Sequence, residues 1–204
     1  MRAWFRPLTA IVRIAVIGTG FIGGILGRSL ARAGHDVTFG SRHPDDEDVA
    51  EETNATVAPI GDALTDADVI VLAVPGAAVG GVATEHRDAL AGRLVIDATN
   101  QMGREVANAR SALPSTVRYA RAFNTLGGEN MAEPNFADGP ADMFFSAPEA
   151  DRDTVARVIE GVGLRPVYLG EDQEALVDAL FQVWVTLAMK QGRGRRLALR
   201  VIDH

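Results

Sequence analysis

The 204-residue sequence contains no cysteine, which excludes disulfide bonds, thiolate catalysis and cysteine-ligated zinc or iron–sulfur sites. It also lacks any apolar run near the roughly 20 residues that a membrane-spanning helix needs, and its first ten residues do not resemble a signal peptide. Lys190 is the only lysine, and the net charge of −7 argues against general nucleic-acid binding. We therefore expect a soluble cytoplasmic protein that acts on a small molecule.

Strand-like and helix-like segments alternate along most of the chain. A β-branched run at 13–18 precedes a helical pattern at 21–33, and the segment at 68–75 is apolar nearly throughout, as in a strand covered on both faces. Further strands are predicted at 36–40, 55–59, 93–100, 116–124, 143–147 and 165–170, and further helices at 60–67, 77–91, 103–112 and 149–162. This alternation predicts an α/β fold, a doubly wound parallel sheet of the Rossmann type.

The predicted sheet accounts for residues 12–170, which we expect to form one nucleotide-binding domain after an N-terminal extension at 1–11. The remaining segment, 171–204, is predicted to be helical over 172–201 except at 191–194, where "QGRG" should break or kink the helix. This segment is too short for an independent domain. We expect it to pack on the sheet, on a second subunit, or on both.

A glycine-rich turn joins the first strand to the first helix. It consists of Gly18, Thr19, Gly20, Phe21, Ile22 and Gly23. The pattern alone is weak evidence, but here a strand precedes it, an amphipathic helix follows, and a second strand comes at the right distance. Gly18 permits the tight turn, Gly20 lets the backbone approach a pyrophosphate, and Gly23 lets the helix pack close to the strand. The free N–H groups at the start of the helix would face the phosphates, which predicts a dinucleotide site.

The second strand ends at Ser41 and Arg42, where an NAD-binding fold usually carries an acid that accepts from the ribose 2′-OH. A hydroxyl donor and a guanidinium suit a dianionic 2′-phosphate instead. The pair therefore predicts NADP rather than NAD. Asp45 and Asp46 follow closely and would weaken the positive field, so the preference for NADP need not be absolute.

The ends of the later strands also carry small, polar or turn-forming residues. In open parallel sheets, ligands bind outside the carboxyl ends of the strands. The backbone at Val74 and Pro75 is therefore expected beside the cofactor's ribose, and Asn100 and Asn124 are candidates to hold the nicotinamide or the substrate. For either asparagine alone, capping a loop is an equally good interpretation.

No residue pattern in the sequence indicates acid–base or nucleophilic catalysis. None of the four histidines belongs to a base–nucleophile or metal pattern, and no Ser/His/Asp or Lys/Tyr arrangement would protonate a carbonyl. We therefore predict no catalytic side chain and no metal site. Hydride transfer between a nicotinamide and a flat, flavin-like ring requires neither, because the protein supplies stacking geometry and proximity.

Several segments together resemble the NADPH-dependent coenzyme F420 reductase family, from about residue 12 to the end. They are "IGTGFIG", "GSR", "VLAVP", "VIDATN", "RAFNTLGG" and the tail "ALFQVWVTLAMKQGRGRRLALRVI". The resemblance implies a Rossmann domain with a short helical end, commonly a homodimer, that moves a hydride between NADP and a 5-deazaflavin. The sequence departs from the family at two places. An acidic run follows Arg42 where a basic residue is expected, and Gln101–Met102 stand where relatives commonly have a proline.

The resemblance also implies roles for particular residues. Thr19 to Ile22 would hold the pyrophosphate, and Ser41 and Arg42 the 2′-phosphate. Val74 would touch the cofactor through its backbone. Asn124 and Thr125 would lie near the site where the two rings stack.

Basic residues crowd the last fifteen positions of the chain, namely Lys190, Arg193, Arg195, Arg196 and Arg200. Such a cluster would attract the phosphate and oligoglutamate tail of a deazaflavin coenzyme. Three functions stay open: an NADP–deazaflavin oxidoreductase, an NADPH-dependent reductase of another acceptor such as a flavin, imine or carbonyl, and a non-catalytic protein that binds or senses NADP.

Overall fold

The computed structural model describes residues 11–45, 47–51, 53–100 and 109–202, and its centre is a six-stranded parallel sheet. The strands are β1 (Arg13–Ile17), β2 (Asp36–Ser41), β3 (Thr56–Pro59), β4 (Val69–Leu72), β5 (Leu94–Asp97) and β6 (Arg118–Arg121). Their order is β3-β2-β1-β4-β5-β6, and every neighbouring pair is parallel. The predicted doubly wound sheet is confirmed, and the order reverses between β1 and β4, where such folds open a crevice.

Helices cover both faces of this sheet. They are α1 (Phe21–Arg32), α2 (Ile60–Thr65), α3 (Gly76–Glu85), α4 (Arg87–Leu90), α5 (Gly128–Ala132), α6 (Arg152–Gly161) and α7 (Glu174–Val185), and a π-helical turn at Thr186–Lys190 extends α7. Short 3-10 helices lie at Glu47–Ala50, Ala109–Ala112 and Glu149–Asp151. None of the helices in the described ranges has the length and apolar character needed to cross a bilayer.

Two buried apolar clusters lie on opposite faces of the sheet. On β1, Ile14 and Val16 face the cluster beneath α1 and α6, whereas Ala15 and Ile17 face the cluster beneath α2 and α3. This alternation follows from the two-residue period of a strand. It explains why the strands read as continuous apolar runs, because both faces are covered.

A further pair of strands continues the sheet beyond β6. This pair consists of β9 (Asp142–Phe145) and β10 (Arg165–Tyr168), which are parallel to each other. A short antiparallel hairpin of β7 (Asn135–Phe136) and β8 (Gly139–Pro140) precedes it. Arg121 and Ser146 exchange both backbone hydrogen bonds, at 2.8 and 3.1 Å, in an antiparallel bridge. The strands predicted near 143–147 and 165–170 are therefore present and run opposite to the main sheet.

Two helix predictions need correction. The predicted helix at 77–91 is broken at His86, whose backbone (φ −113°, ψ 27°) separates α3 from α4. Of the predicted helix at 103–112, residues 103–108 lie outside the described part, and Ala109–Ala112 form a 3-10 turn.

The prediction of helix over 195–201 is wrong, since helix ends at Lys190 and the tail from 195 to 202 has no regular structure. Its backbone is bonded to distant side chains instead. The amide of Asn130 donates to the carbonyls of Arg195 and Leu197 at 2.8 and 3.1 Å, and the Trp184 indole N–H donates to Leu197 O at 2.7 Å. These long-range donors take the place of intrahelical bonds.

Candidate nucleotide-binding cleft

A cleft of about 1000 Å³ opens at the carboxyl edge of the sheet, where the strand order reverses. Its floor consists of the loops that follow β1, β2 and β4, at residues 18–20, 40–44 and 73–75. Its far end is formed by residues 59–61 and by the last turns of α3. Most of the predicted cofactor residues therefore meet in one cavity.

The glycine turn is held tightly against its neighbours. Gly18 has φ +111°, donates its N–H to Gly40 O at 3.1 Å, and would place a Cβ 2.7 Å from Ala73 O. A Cβ at Gly23 would lie 1.9 Å from Gly18 O, so only glycine lets α1 approach this closely. Both positions are therefore occupied by glycine for reasons internal to the fold.

Gly20 differs from these two, because a Cβ there would meet no described atom within 4 Å. It is the N-cap of the 12-residue α1, and no side chain caps that end. The first N–H groups of a helix have no intrahelical acceptor, and the helix dipole adds partial positive charge there. Gly20 leaves open space next to its backbone, and the N–H groups at the start of α1 lack acceptors. Both features suit the binding of a pyrophosphate.

Ser41 and Arg42 both line the cleft, at the end of β2. Ser41 is buried, and its Oγ accepts the backbone N–H of His43 at 3.0 Å, which leaves the hydroxyl proton to be donated elsewhere. Arg42 is exposed, as is Asp45. Asp46 lies outside the described residues.

Val74 and Pro75 line the cleft as predicted from their place after β4. Glu85 and His86, at the end of α3, also line it, which no sequence pattern predicted. Nothing in their local sequence distinguishes them from ordinary helix-end residues. Their position is set by the packing of α3 against the sheet.

Asn100 and Asn124 are brought together, though neither lines the cleft. The Asn100 amide donates to Asn124 O at 3.2 Å, and the Asn124 amide donates to Asp178 Oδ1 at 3.2 Å. These bonds support the loop-capping interpretation for both amide groups. The Oδ1 atoms of both residues are buried without a hydrogen-bond partner among the described residues, so each keeps one acceptor for another donor.

The backbone just before Asn124 adopts an uncommon conformation. Phe123 has φ +66°, although its ring is buried at 1% exposure. Its N–H donates to the Met143 sulfur at 3.2 Å. The loop after β6 is thus fixed by core packing at its first residue.

A buried ionic network, which was not predicted from the sequence, lies at the ends of β5 and β6. The Arg121 guanidinium is fully buried and lies between Asp97, at 3.1 Å, and Asp178 of α7, at 2.8 Å. Asp97 also accepts from the Tyr119 hydroxyl at 2.7 Å and from Thr99 Oγ1 at 2.7 Å. The signal was present as charged residues within the apolar strands of "VIDATN" and "RYARAF".

Burial raises the pKa of Asp178, although the adjacent Arg121 opposes this shift. The pKa of Tyr119 is raised as well, by burial first and then by the charge of Asp97. Both groups face the protein interior and are not in the cleft. The network therefore fastens α7 and the loop after β5 to the sheet.

Three arginines of the basic cluster near the end of the chain contact the rest of the protein, and the attraction of the cluster for a deazaflavin tail stays a prediction. Arg195 pairs with Glu129 at 2.5 Å and lies over the Trp184 ring at 5.4 Å. Arg196 donates to the carbonyls of Glu133 and Asn135 and lies over the Phe136 ring, and Arg200 donates to Asp138 O. These contacts hold the tail in place, although Arg195, Arg196 and Arg200 are exposed, as are Lys190 and Arg193.

Residues 13–101 match a family described as NADP oxidoreductase, coenzyme F420-dependent. The family resemblance is confirmed over these residues. The matched range runs from β1 to the residue after Asn100 and so contains every loop that forms the floor of the cleft. A comparison with curated proteins gave no match.

Solved structures share the fold of the chain. A proposed F420-dependent NADP-reductase from Arthrobacter sp. FB24 superposes with a TM-score of 0.79 at 22% identity, covering 94% of this chain and all of that one. A hypothetical protein from Sinorhizobium meliloti gives 0.70 at 25% identity, covering 96% and 97%. An imine reductase from Streptomyces aurantiacus gives 0.68 at 20% identity, and there 87% of this chain covers 63% of that one.

Proposed function

We propose that the protein transfers a hydride between NADP(H) and a deazaflavin of the coenzyme F420 type. The observation that carries the proposal is that the residues forming the cleft fall within the range matched to the F420-dependent family. The chain is also similar in size to a proposed F420-dependent NADP-reductase, and the superposition covers the full length of that reductase.

The cleft suits the parts of NADP in order along the sheet edge. Gly20 and the start of α1 would hold the pyrophosphate, since they offer bare backbone and unsatisfied N–H donors. The Ser41 hydroxyl and the Arg42 guanidinium would hold the 2′-phosphate. The nicotinamide would then point toward the ends of β5 and β6, where Asn100 and Asn124 lie.

Bound NADPH supplies the two electrons and one proton of a hydride, and the reduced acceptor takes a second proton from solvent. The residues of the chain have a positioning task. The titratable side chains that line the cleft are Arg42, His43, Glu85 and His86, and none of them follows β5 or β6, where the nicotinamide is proposed to lie. No proton donor is needed beside the nicotinamide when the acceptor is a conjugated ring that delocalises the added charge.

A second candidate is an NADPH-dependent reductase of an imine, carbonyl or flavin. The likeness in fold to imine reductases favours it. A carbonyl or imine substrate has no extended ring to spread charge, so such a reaction would call on a proton donor near the nicotinamide.

The test is oxidation of NADPH and of NADH by the purified protein with oxidised coenzyme F420, then FMN, then a cyclic imine as acceptor. Turnover of F420 with NADPH preferred is the expected result. Turnover of the imine alone would favour the second candidate. NADPH binding without turnover of any acceptor would indicate a binding or sensing protein.

We also propose that the protein is a homodimer that uses the outer side of α7. Leu176 and Val183, seven residues apart on α7, are exposed by 52 and 46%, and Met189 in the π-helical turn that follows is exposed by 48%, whereas the other side of α7 packs near β6 and β9. Exposed apolar side chains grouped on one helix are typical of an interface. Sedimentation equilibrium is expected to give the dimer mass, and Val183→Glu to give the monomer mass; a monomeric unaltered protein would contradict the proposal.

A further inference from the structure

Phe21 carries an exposed aromatic ring at the start of α1. Its side chain is 66% exposed, whereas the other aromatic residues in the described ranges are buried or half-buried. The ring belongs to the first residue of α1, directly after Gly20 at the phosphate turn. Gly20 lines the cleft, so the exposed ring of its neighbour Phe21 is accessible to a ligand bound there.

The ring is held on one side by the segment that follows β6. A Cβ added to Gly128 would lie 2.4 Å from Phe21 Cε1 and 2.8 Å from Ile22 Cδ1. Gly128 begins α5, two residues beyond Leu126 and four beyond Asn124. The Phe21 side chain therefore bridges the phosphate turn and the loop after β6, and its remaining surface faces solvent.

This position borders the region where two reacting rings must meet. A dinucleotide that runs from Arg42 across Gly20 would carry its nicotinamide past Phe21 toward the ends of β5 and β6. Hydride transfer requires the acceptor to lie within contact distance of that ring. Phe21 is the exposed aromatic side chain at this point.

We propose that Phe21, backed by Gly128, is the surface on which the hydride acceptor stacks, and that it selects flat, extended ring systems over small imines or carbonyls. The inference rests on the proposed function and goes beyond the backbone role of Phe21 in holding phosphate. Stacked aromatic pairs contribute beyond their buried area, whereas an aliphatic substrate would gain little from the ring.

Binding of oxidised coenzyme F420 to the NADP⁺-loaded protein tests the inference without relying on turnover. Phe21→Ala is expected to raise the Kd of F420 about tenfold, the effect of losing one ring contact, while the Kd of NADPH changes less than about twofold. Phe21→Trp should keep F420 affinity. Ile11→Ala is the matched control, because Ile11 is a 71% exposed apolar residue just before β1 at the opposite edge.

Gly128→Ala provides a second route to the same result. The new methyl group would displace the Phe21 ring and also crowd the Ile22 side chain, so F420 affinity should fall more than NADPH affinity. Equal loss of both ligands in Phe21→Ala would overturn the inference and show that the ring only supports the phosphate turn.

The failure of the inference is distinct from that of the proposed function. If the unaltered protein and Phe21→Ala bind and reduce F420 equally well, the stacking role is wrong and the function stands. If the unaltered protein binds NADPH but neither F420 nor FMN, both are wrong.

Discussion

Arg121 at the end of β6 donates its Nε–H to Asp178 Oδ1 on α7 across 2.9 Å, and both side chains are buried. This contact joins residues 57 positions apart in sequence. It connects α7 to the end of β6, the edge strand of the six-stranded sheet. A second carboxylate, Asp97, lies on the other side of the same guanidinium at 3.1 Å.

Asp178→Asn is expected to destabilise the protein by about 2–4 kcal/mol, because it leaves a buried guanidinium with one carboxylate instead of two. Urea unfolding measures the change. Asp172→Asn is the matched control, since Asp172 also pairs with an arginine near α7 but its side chain is 67% exposed, and its loss should cost less than about 0.5 kcal/mol. Equal effects of the two changes would mean that burial of the Arg121 pair contributes nothing.

Arg42→Ala is expected to weaken NADPH binding by about 10- to 100-fold, the usual effect of removing a charged hydrogen-bonding partner, and to leave NADH binding nearly unchanged. Isothermal titration with both nucleotides gives the ratio. Arg87→Ala removes an exposed arginine that does not line the cleft and should affect neither. A parallel loss of NADH affinity in Arg42→Ala would contradict a 2′-phosphate contact.

Gly20→Ala and Gly23→Ala should separate binding from folding. The Gly20 Cβ would meet no described atom and its φ of −72° suits alanine, so the fold should keep its stability while dinucleotide binding falls. The Gly23 Cβ would lie 1.9 Å from Gly18 O, so that variant should lose more than about 2 kcal/mol of stability. Thermal unfolding combined with NADPH titration checks both, and unaltered NADPH affinity in folded Gly20→Ala would argue against a pyrophosphate at this turn.

The pairing of Glu129 with Arg195 predicts a pH dependence. The hydrogen bond from Arg195 lowers the pKa of Glu129 in the folded protein. A carboxyl with a lowered folded-state pKa adds stability above its unfolded pKa and loses it as pH falls through the folded value. Compared with Glu129→Gln, the unaltered protein should be more stable near neutral pH, by at most about 1 kcal/mol because the pair is partly exposed, and the difference should vanish in acid. A difference that persists below the folded pKa would point to packing rather than charge.

Local patterns predicted the parts of the molecule that depend on neighbouring residues. The alternation of apolar runs predicted the sheet, and the glycine turn with Ser41 and Arg42 predicted residues that the structure brings into one cleft. These features follow from strand period and turn geometry, which a short stretch of sequence encodes.

Contacts between residues far apart in the sequence could not be predicted from local patterns. The tail after Lys190 has a helical composition, but Asn130 and Trp184 bond its carbonyls from more than ten residues away. Arg121 likewise gave no sign of its two carboxylate partners, because an ion pair across the sheet leaves no local periodicity. The role of Glu85 and His86 in lining the cleft depends on where α3 packs.

The left-handed backbone at Phe123 has a consequence for ligand affinity. A non-glycine residue in this region costs on the order of 1–2 kcal/mol, and here the buried ring and the sulfur of Met143 sustain it. That energetic cost is met when the chain folds, before any ligand arrives. The segment carrying Asn124 is therefore preorganised, and a ligand that contacted it would bind without the entropic cost of ordering a loop.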